Sequence, residues 1–300
     1  MKARLIPLYF SEANDRERQE FTRQLENLKA MYEGVAEFLE PAEVFQELGD
    51  KSGGGDAFFS LGGVAWYQGD LAAAQSYLEA YLEIGRELDN QLGIPHALWI
   101  LGMLARERGD YPHARALGEE SLERYREMDN KKFIGWNLQN LGCVAILEHD
   151  FDKAQALFEE SADFFQPSGD KLGFAMLNES KGFLAWYQGE YVAARSFFKE
   201  SLDQKKMLRA TGFLISPSLA GVAAVDVAEG QLERATKLLS AIRAENDRTG
   251  RRFTDIFLDV YDKTLAAART QLGEQTFAKS WAEGYVLTLE QAIALALNDE

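Results

Sequence analysis

Apolar side chains recur along this chain at the three- and four-residue intervals of amphipathic helices. Phe21, Leu25, Leu28, Tyr32, Val35 and Leu39 set the pattern first and predict a helix over residues 15–39. Pro41 then opens a short helix to about Leu48. Beyond it the pattern itself repeats. Leu61-Gly62-Gly63-Val64-Ala65-Trp66-Tyr67-Gln68-Gly69-Asp70-Leu71 returns as Lys181-Gly182-Phe183-Leu184-Ala185-Trp186-Tyr187-Gln188-Gly189-Glu190-Tyr191. Between them stand Leu101-Gly102 with Gly109-Asp110-Tyr111, and Leu141-Gly142 with His149-Asp150-Phe151. Gly69, Gly109, His149 and Gly189 fall 40 apart, and Gly230 follows 41 later. Ala74, Ala114, Ala154, Ala194 and Ala235 keep the same register, as do Leu71, Tyr111, Phe151, Tyr191 and Leu232. Units that agree at several fixed offsets form a repeat array.

Each unit reads as a helix, a tight turn and a second helix. Gly69, Gly109, Gly189 and Gly230 stand where a helix end favours a left-handed residue. Asp70 and Asp110 follow as N-caps, and Pro112 suits an early helical position. Gly62, Gly102, Gly142 and Gly182 lie mid-helix, at a cost of about 1 kcal/mol each against alanine. Such glycines are expected where two helices cross closely, with the recurring alanines as the small partners on the second helix. Turns between units are expected at Leu48-Gly49-Asp50, Leu88-Asp89-Asn90, Met128-Asp129-Asn130 and Ser168-Gly169-Asp170. Gly53-Gly54-Gly55 is expected to be a flexible inter-repeat turn, because no P-loop lysine or strand accompanies it.

The succession Leu-Gly, aromatic, Gly-Asp, aromatic or Leu, then Ala resembles the tetratricopeptide repeat (TPR), over roughly residues 50–248. The resemblance implies an all-α, right-handed α-solenoid of helix-turn-helix repeats with a period of about 40, longer than the family's 34. It divides the chain into an N-terminal helical cap or degenerate repeat (1–48), five helix pairs (49–248) and a C-terminal helical cap (249–300). His149 replaces the turn glycine, and Lys181, Asn178 and Gly118 replace apolar or bulkier residues, so the third-to-fourth junction is expected to be less regular.

After Arg248-Thr249-Gly250 a helix is expected over about Phe253 to Gln271. Then comes Leu272-Gly273, with Phe277 and Trp281-Ala282-Glu283-Gly284. Thr288-Leu289-Glu290-Gln291 is a capping-box pattern that starts a last helix through Leu297, whose apolar face would cover the open end of the array. This tail resembles the C-terminal end of TPR sensor regions in bacterial LuxR-type and AfsR-like signal-transduction ATPase regulators. Those regulators carry a P-loop ATPase module, and no G-x-x-x-x-G-K-[S/T] occurs in this sequence.

Composition narrows the function. The chain has 48 acidic against 32 basic side chains, a formal charge of −16, which opposes direct nucleic-acid binding. Its one cysteine, Cys143, excludes an intramolecular disulfide and fits a reducing compartment. The start has too short an apolar stretch for a signal peptide, and no window approaches a membrane span, so a cytoplasmic location is expected.

Catalytic chemistry finds little support. His96, His113 and His149 are scattered, no H-x-x-x-H or Cys-x-x-Cys pair occurs, and no metal or cofactor is expected. Glu119-Glu120 and Glu159-Glu160 recur with the repeat and are read as solvated outer faces. The chain is therefore read as a non-catalytic scaffold.

What remains is the concave groove, which in the family is lined by the first helix of each pair. The register implies that Asp56, Phe59, Trp66, Tyr67, His96, Trp99, Met103, Arg106, Trp136, Gln139, Asn140, Cys143, Ile146, Met176, Glu179, Phe183, Trp186 and Tyr187 point inward. Candidate binding residues are Phe59, Trp66, Tyr67, Trp99, Arg106, Trp136, Gln139, Asn140, Phe183, Trp186 and Tyr187. Their rings either fill gaps between neighbouring first helices or stand exposed as ligand anchors. Family members that clamp a C-terminal carboxylate use Lys, Arg and Asn where this chain has Phe59, Gly63, Trp99, Met103 and Gln139, with Asn140 the one remnant. The expected partner is accordingly a peptide or protein segment with apolar anchors, an effector, or another domain of a signalling ATPase, with self-association compatible. The alternative is the ligand-sensing arm or fragment of a bacterial ATPase transcriptional regulator.

Overall fold

The computed structural model describes residues 51–210, 212–249 and 255–298; the helices expected over 15–39 and 41–48 lie outside the described residues. Among the described residues there are thirteen helices and no strand. Five pairs follow one another: α1 (Lys51–Gln68) with α2 (Leu71–Glu87), α3 (Gly93–Glu107) with α4 (Tyr111–Glu127), α5 (Lys131–Leu147) with α6 (Phe151–Ser168), α7 (Lys171–Tyr187) with α8 (Tyr191–Met207), and α9 (Gly212–Ala228) with α10 (Leu232–Thr249). Then come α11 (Asp255–Leu272), α12 (Glu274–Tyr285) and α13 (Leu289–Leu297). Each helix packs on its pair-mate, and each second helix packs on the first helix of the next pair. The result is an all-α solenoid.

The turns explain the period. Within pairs, Gly69, Gly109, Gly189 and Gly230 take φ of 78–80°, the left-handed conformation that stops a helix. His149 takes the same role at φ 61° despite its side chain. Between pairs, Asp89, Asp129, Gly169 and Arg209 are left-handed and again 40 apart, so the third-to-fourth junction keeps the register. Side chains then start the next helix. Asp70, Asp150 and Asp170 accept hydrogen bonds from the backbone N–H of Ala73 at 3.0 Å, Lys153 at 3.2 Å and Gly173 at 2.9 Å. Thr288 and Gln291 form the expected capping box at the start of α13.

Two expectations are corrected. Gly53-Gly54-Gly55 lies inside α1 and is not a turn. Packing of α1 on α2 offsets the glycine cost there: a Cβ at Gly55 would stand 3.3 Å from Ile84. The mid-helix glycines, for their part, do not face the alanines as their main partners. A Cβ on Gly62, Gly142 or Gly182 would overlap Leu78, Phe158 or Phe198, each four residues beyond the recurring alanine. Gly102 differs, because it crosses the Ala114 carbonyl and Gly118. The five alanines, all fully buried, close the spine one turn earlier.

Two aromatic side chains of second helices each span two pairs. Phe165 on α6 lies against Gly135 of α5 and Gly173 of α7, and Phe198 on α8 against Gly182 of α7 and Gly221 of α9. Within each of the middle three pairs a buried serine ties the two helices. Ser121, Ser161 and Ser201 donate to the carbonyls of Pro95, Gly135 and Ala175 at 2.7, 2.8 and 2.7 Å.

Candidate functional site

The inner layer consists of the first helices, and its aromatics form a continuous line. Phe59 on α1 lies 4.9 Å from His96 on α3, ring centre to ring centre. His96 stacks on Trp99 at 5.7 Å and tilts against Phe133 of α5 at 5.5 Å. Trp99 meets Trp136 edge-on at 6.1 Å, and Trp136 meets Phe165 at 5.5 Å. These separations suit offset or edge contacts between aromatic quadrupoles. Phe59, His96 and Phe133 are half-buried, whereas Trp99 and Trp136 are only 4% and 6% exposed. Burial among these rings pushes the His96 imidazole down to about 4.

Indole N–H groups tie successive pairs together. Trp66 donates to Glu107 Oε1 at 3.0 Å, and Trp136 donates to Asp170 Oδ2 at 3.1 Å. Because Asp170 also caps α7, one carboxylate fixes both a ring and a helix start.

A polar line runs beside the rings. Arg106 of α3 donates to Asn140 Oδ1 of α5 at 2.6 Å. Gln139 of α5 donates to Ser180 of α7 at 2.6 Å, with Cys143 Sγ 3.4 Å from the same hydroxyl. In the fourth pair Lys205, fully buried on α8, reaches Glu179 Oε2 at 2.5 Å. Ser218 of α9 donates to that oxygen at 2.5 Å. Burial holds the Lys205 ammonium below its usual range, and Glu179 opposes the shift.

Towards α11 the layer is more open. Trp186 and Tyr187 are half-buried and meet edge-on at 5.1 Å. The Tyr187 hydroxyl donates to Asp259 Oδ2 at 2.5 Å, and Lys263 stands 5.4 Å from the Tyr187 ring centre. His149 and Phe151 flank the same ring.

The candidate residues thus fall into two groups. Trp99, Trp136, Gln139, Asn140 and Phe183 are buried, filling gaps between helices. Phe59, Trp66, Arg106, Trp186 and Tyr187 are half-buried. The Tyr67 and Asp56 side chains lie outside what is described. Sequence reasoning missed Phe133 as a member of the ring line and the Lys205–Glu179–Ser218 network. It also missed the serine ties, although Ser121, Ser161 and Ser201 recur 40 apart and could have been noticed.

Elsewhere, a cavity of about 220 Å³ lies between α4, α5 and α6. Its floor is Leu122, Leu138, Leu141 and Leu157, and its rim carries the Arg115–Glu148 and Arg126–Glu160 ion pairs. Among the described residues no three His, Cys, Asp or Glu side chains cluster as a metal site would need, and no helix is long and apolar enough to cross a membrane.

A family model of the tetratricopeptide repeat matches residues 55–127 and 93–166, so the chain carries tetratricopeptide repeats there. No curated protein matches the sequence. Among solved structures, the crystal structure of BtubC (BKLC) from P. vanneervenii is similar at a TM-score of 0.47 and 16% identity, over 88% of this chain and 94% of that one.

Proposed function

We propose that these tetratricopeptide pairs form a non-catalytic interaction module that holds a peptide or protein segment against its first-helix layer. The half-buried Phe59, Trp66, Arg106, Trp186 and Tyr187 are the contact residues, and the buried Trp99, Trp136 and Phe183 are the rigid backing that positions them. The observation that carries the reading is the line of rings from Phe59 to Trp136, continuous over three pairs. Rings held by neighbours lose little conformational freedom on binding, and aromatic and arginine side chains are the usual anchors of interfaces. A segment presenting apolar side chains at helical spacing fits such a line.

Trp66→Ala combined with Trp186→Ala tests this. Retention of the partner, identified by affinity capture from the source organism followed by mass spectrometry, is expected to fall at least tenfold with helical content unchanged. Unfolding of the double variant would make those rings core and end the reading.

The tail favours a second reading, a ligand-sensing arm of an ATPase regulator. Its carriers are Leu272-Gly273 before α12 and Trp281-Ala282-Glu283-Gly284 within it. Gly284 is required there by packing, since a Cβ would overlap the Lys237 backbone of α10. An ATPase and a DNA-binding region encoded in the same operon would support this reading; their absence would remove it.

A further inference from the structure

Helix α13 shows what the second-helix side of this solenoid can hold. It packs on α8, α9 and α10 together, in the groove between two second helices and over the first helix that separates them. Ala292, Ile293 and Ala296 are buried there. Two cations on the groove walls hold its end. Lys199 of α8 donates to the Leu297 carbonyl at 3.2 Å, and Arg234 of α10 donates to the Ala296 carbonyl at 3.0 Å. Cations at the last carbonyls suit the negative end of a helix dipole.

The cavity between α4, α5 and α6 is the same groove two repeats earlier. Counting back 80 from α8 and 81 from α10 turns Lys199 into Glu119, Arg234 into Lys153 and Leu238 into Leu157. Glu119, Lys153 and Leu157 all line the cavity. Its floor of Leu138 and Leu141 lies on the side of α5 away from Trp136 and Asn140, so the surface is separate from the ring line. At about 220 Å³ it is smaller than the roughly 300–1,000 Å³ of enclosed small-molecule sites. Such a space suits the side chains of a helix laid across it. The remaining grooves differ at the place of Lys153, with Ala193 over α7 and His113 over α3. In the groove of α13, buried Asp226 gathers Arg195 and Arg234 at 2.8 and 3.3 Å, whereas Ala145 stands in its place over α5.

We propose that the groove over α5 is a second docking site, which takes a short amphipathic helix of a protein partner as the groove over α9 takes α13. The walls define the occupant. Small and aliphatic residues at helical spacing fill the leucine floor. Lys153 meets the carbonyls at the helix end, and Glu119, which reverses the charge of Lys199, selects a lysine or arginine in the last turn. A second copy of this chain fits poorly, because α13 runs into Asn298-Asp299-Glu300, acidic against Glu119. The site is independent of the ring line and its partner.

Capped peptides of residues 288–298, one with Asn298→Lys and one with Asn298→Glu, test this by fluorescence anisotropy against the full chain. The lysine peptide is expected to bind saturably, about threefold or more tighter than the glutamate peptide. In Glu119→Lys the preference should reverse, and a gained affinity for the glutamate peptide cannot come from misfolding. Leu157→Glu should weaken both peptides at least tenfold with helical content unchanged, while Lys199→Gln should leave both as they were. If Leu157→Glu loses its helical content, the reversal in Glu119→Lys alone decides. Absence of saturable binding, or no reversal in Glu119→Lys, would overturn the proposal. So would a loss in Lys199→Gln with none in Leu157→Glu, which puts the peptide in the groove of α13.

Discussion

Lys205 of α8 and Glu179 of α7 form a charged contact of 2.5 Å with the lysine wholly out of solvent. Positions 40 residues earlier carry Phe165 and Gln139, so the pair replaces a ring and an amide found in the preceding repeat. Charges in such a site are stabilising only together. Lys205→Met alone should leave Glu179 buried and uncompensated, at a cost of about 3–5 kcal/mol in chemical denaturation. Lys205→Met with Glu179→Gln, which removes both charges and keeps an acceptor for Ser218, should recover most of that loss. Equal destabilisation by the single and double changes would show that the charges are not coupled.

His149 offers the opposite case, a residue against its backbone preference. It holds φ at 61° where the other pairs use glycine. His149→Gly should raise stability by about 0.5–1 kcal/mol, less what is lost from edge contacts to Phe151 and Tyr187. Calorimetric melting checks the sign; a lower Tm would mean that the ring contacts outweigh the backbone strain.

The third expectation concerns pH. His96 titrates at about 4 in the folded chain because the uncharged ring is enclosed by Phe59, Trp99 and Phe133. In the unfolded chain it titrates near 6.5. Between those values the unfolded state binds the extra proton, so acidification from about 6.5 towards 4 favours unfolding. The loss should be about 1–3 kcal/mol, at the lower end because the residue is not wholly enclosed. His96→Phe should flatten that part of the stability curve. Parallel curves for the two proteins would assign the acid sensitivity elsewhere.

The repeat was legible because its punctuation is chemical. Left-handed turns select glycine, helix starts select aspartate, and close crossings select glycine against a large neighbour; each leaves a mark at a fixed offset. Gly53-Gly54-Gly55 misled for the same reason: three glycines look like a turn, yet they lie within α1, where Gly55 packs beside Ile84 and Tyr81 of α2. The division of the inner residues was not legible. Phe59 and Trp99 stand 40 apart at the same place in the pattern, yet one is half-buried and the other buried, because exposure depends on which rings stand across the gap. Lys205 and Glu179 are 26 residues apart with no local sign of pairing, because a lysine late in a helix ordinarily reads as a solvated cation.

The bridging rings on the outer layer govern what the inner layer can hold. Phe165 and Phe198 each lie against glycines of two successive pairs and so act as spacers between them. Trimming either ring would let two pairs close up behind and fan apart in front. The width of the cleft is therefore written into its back wall, and a substitution that touches no guest can still change which guest fits.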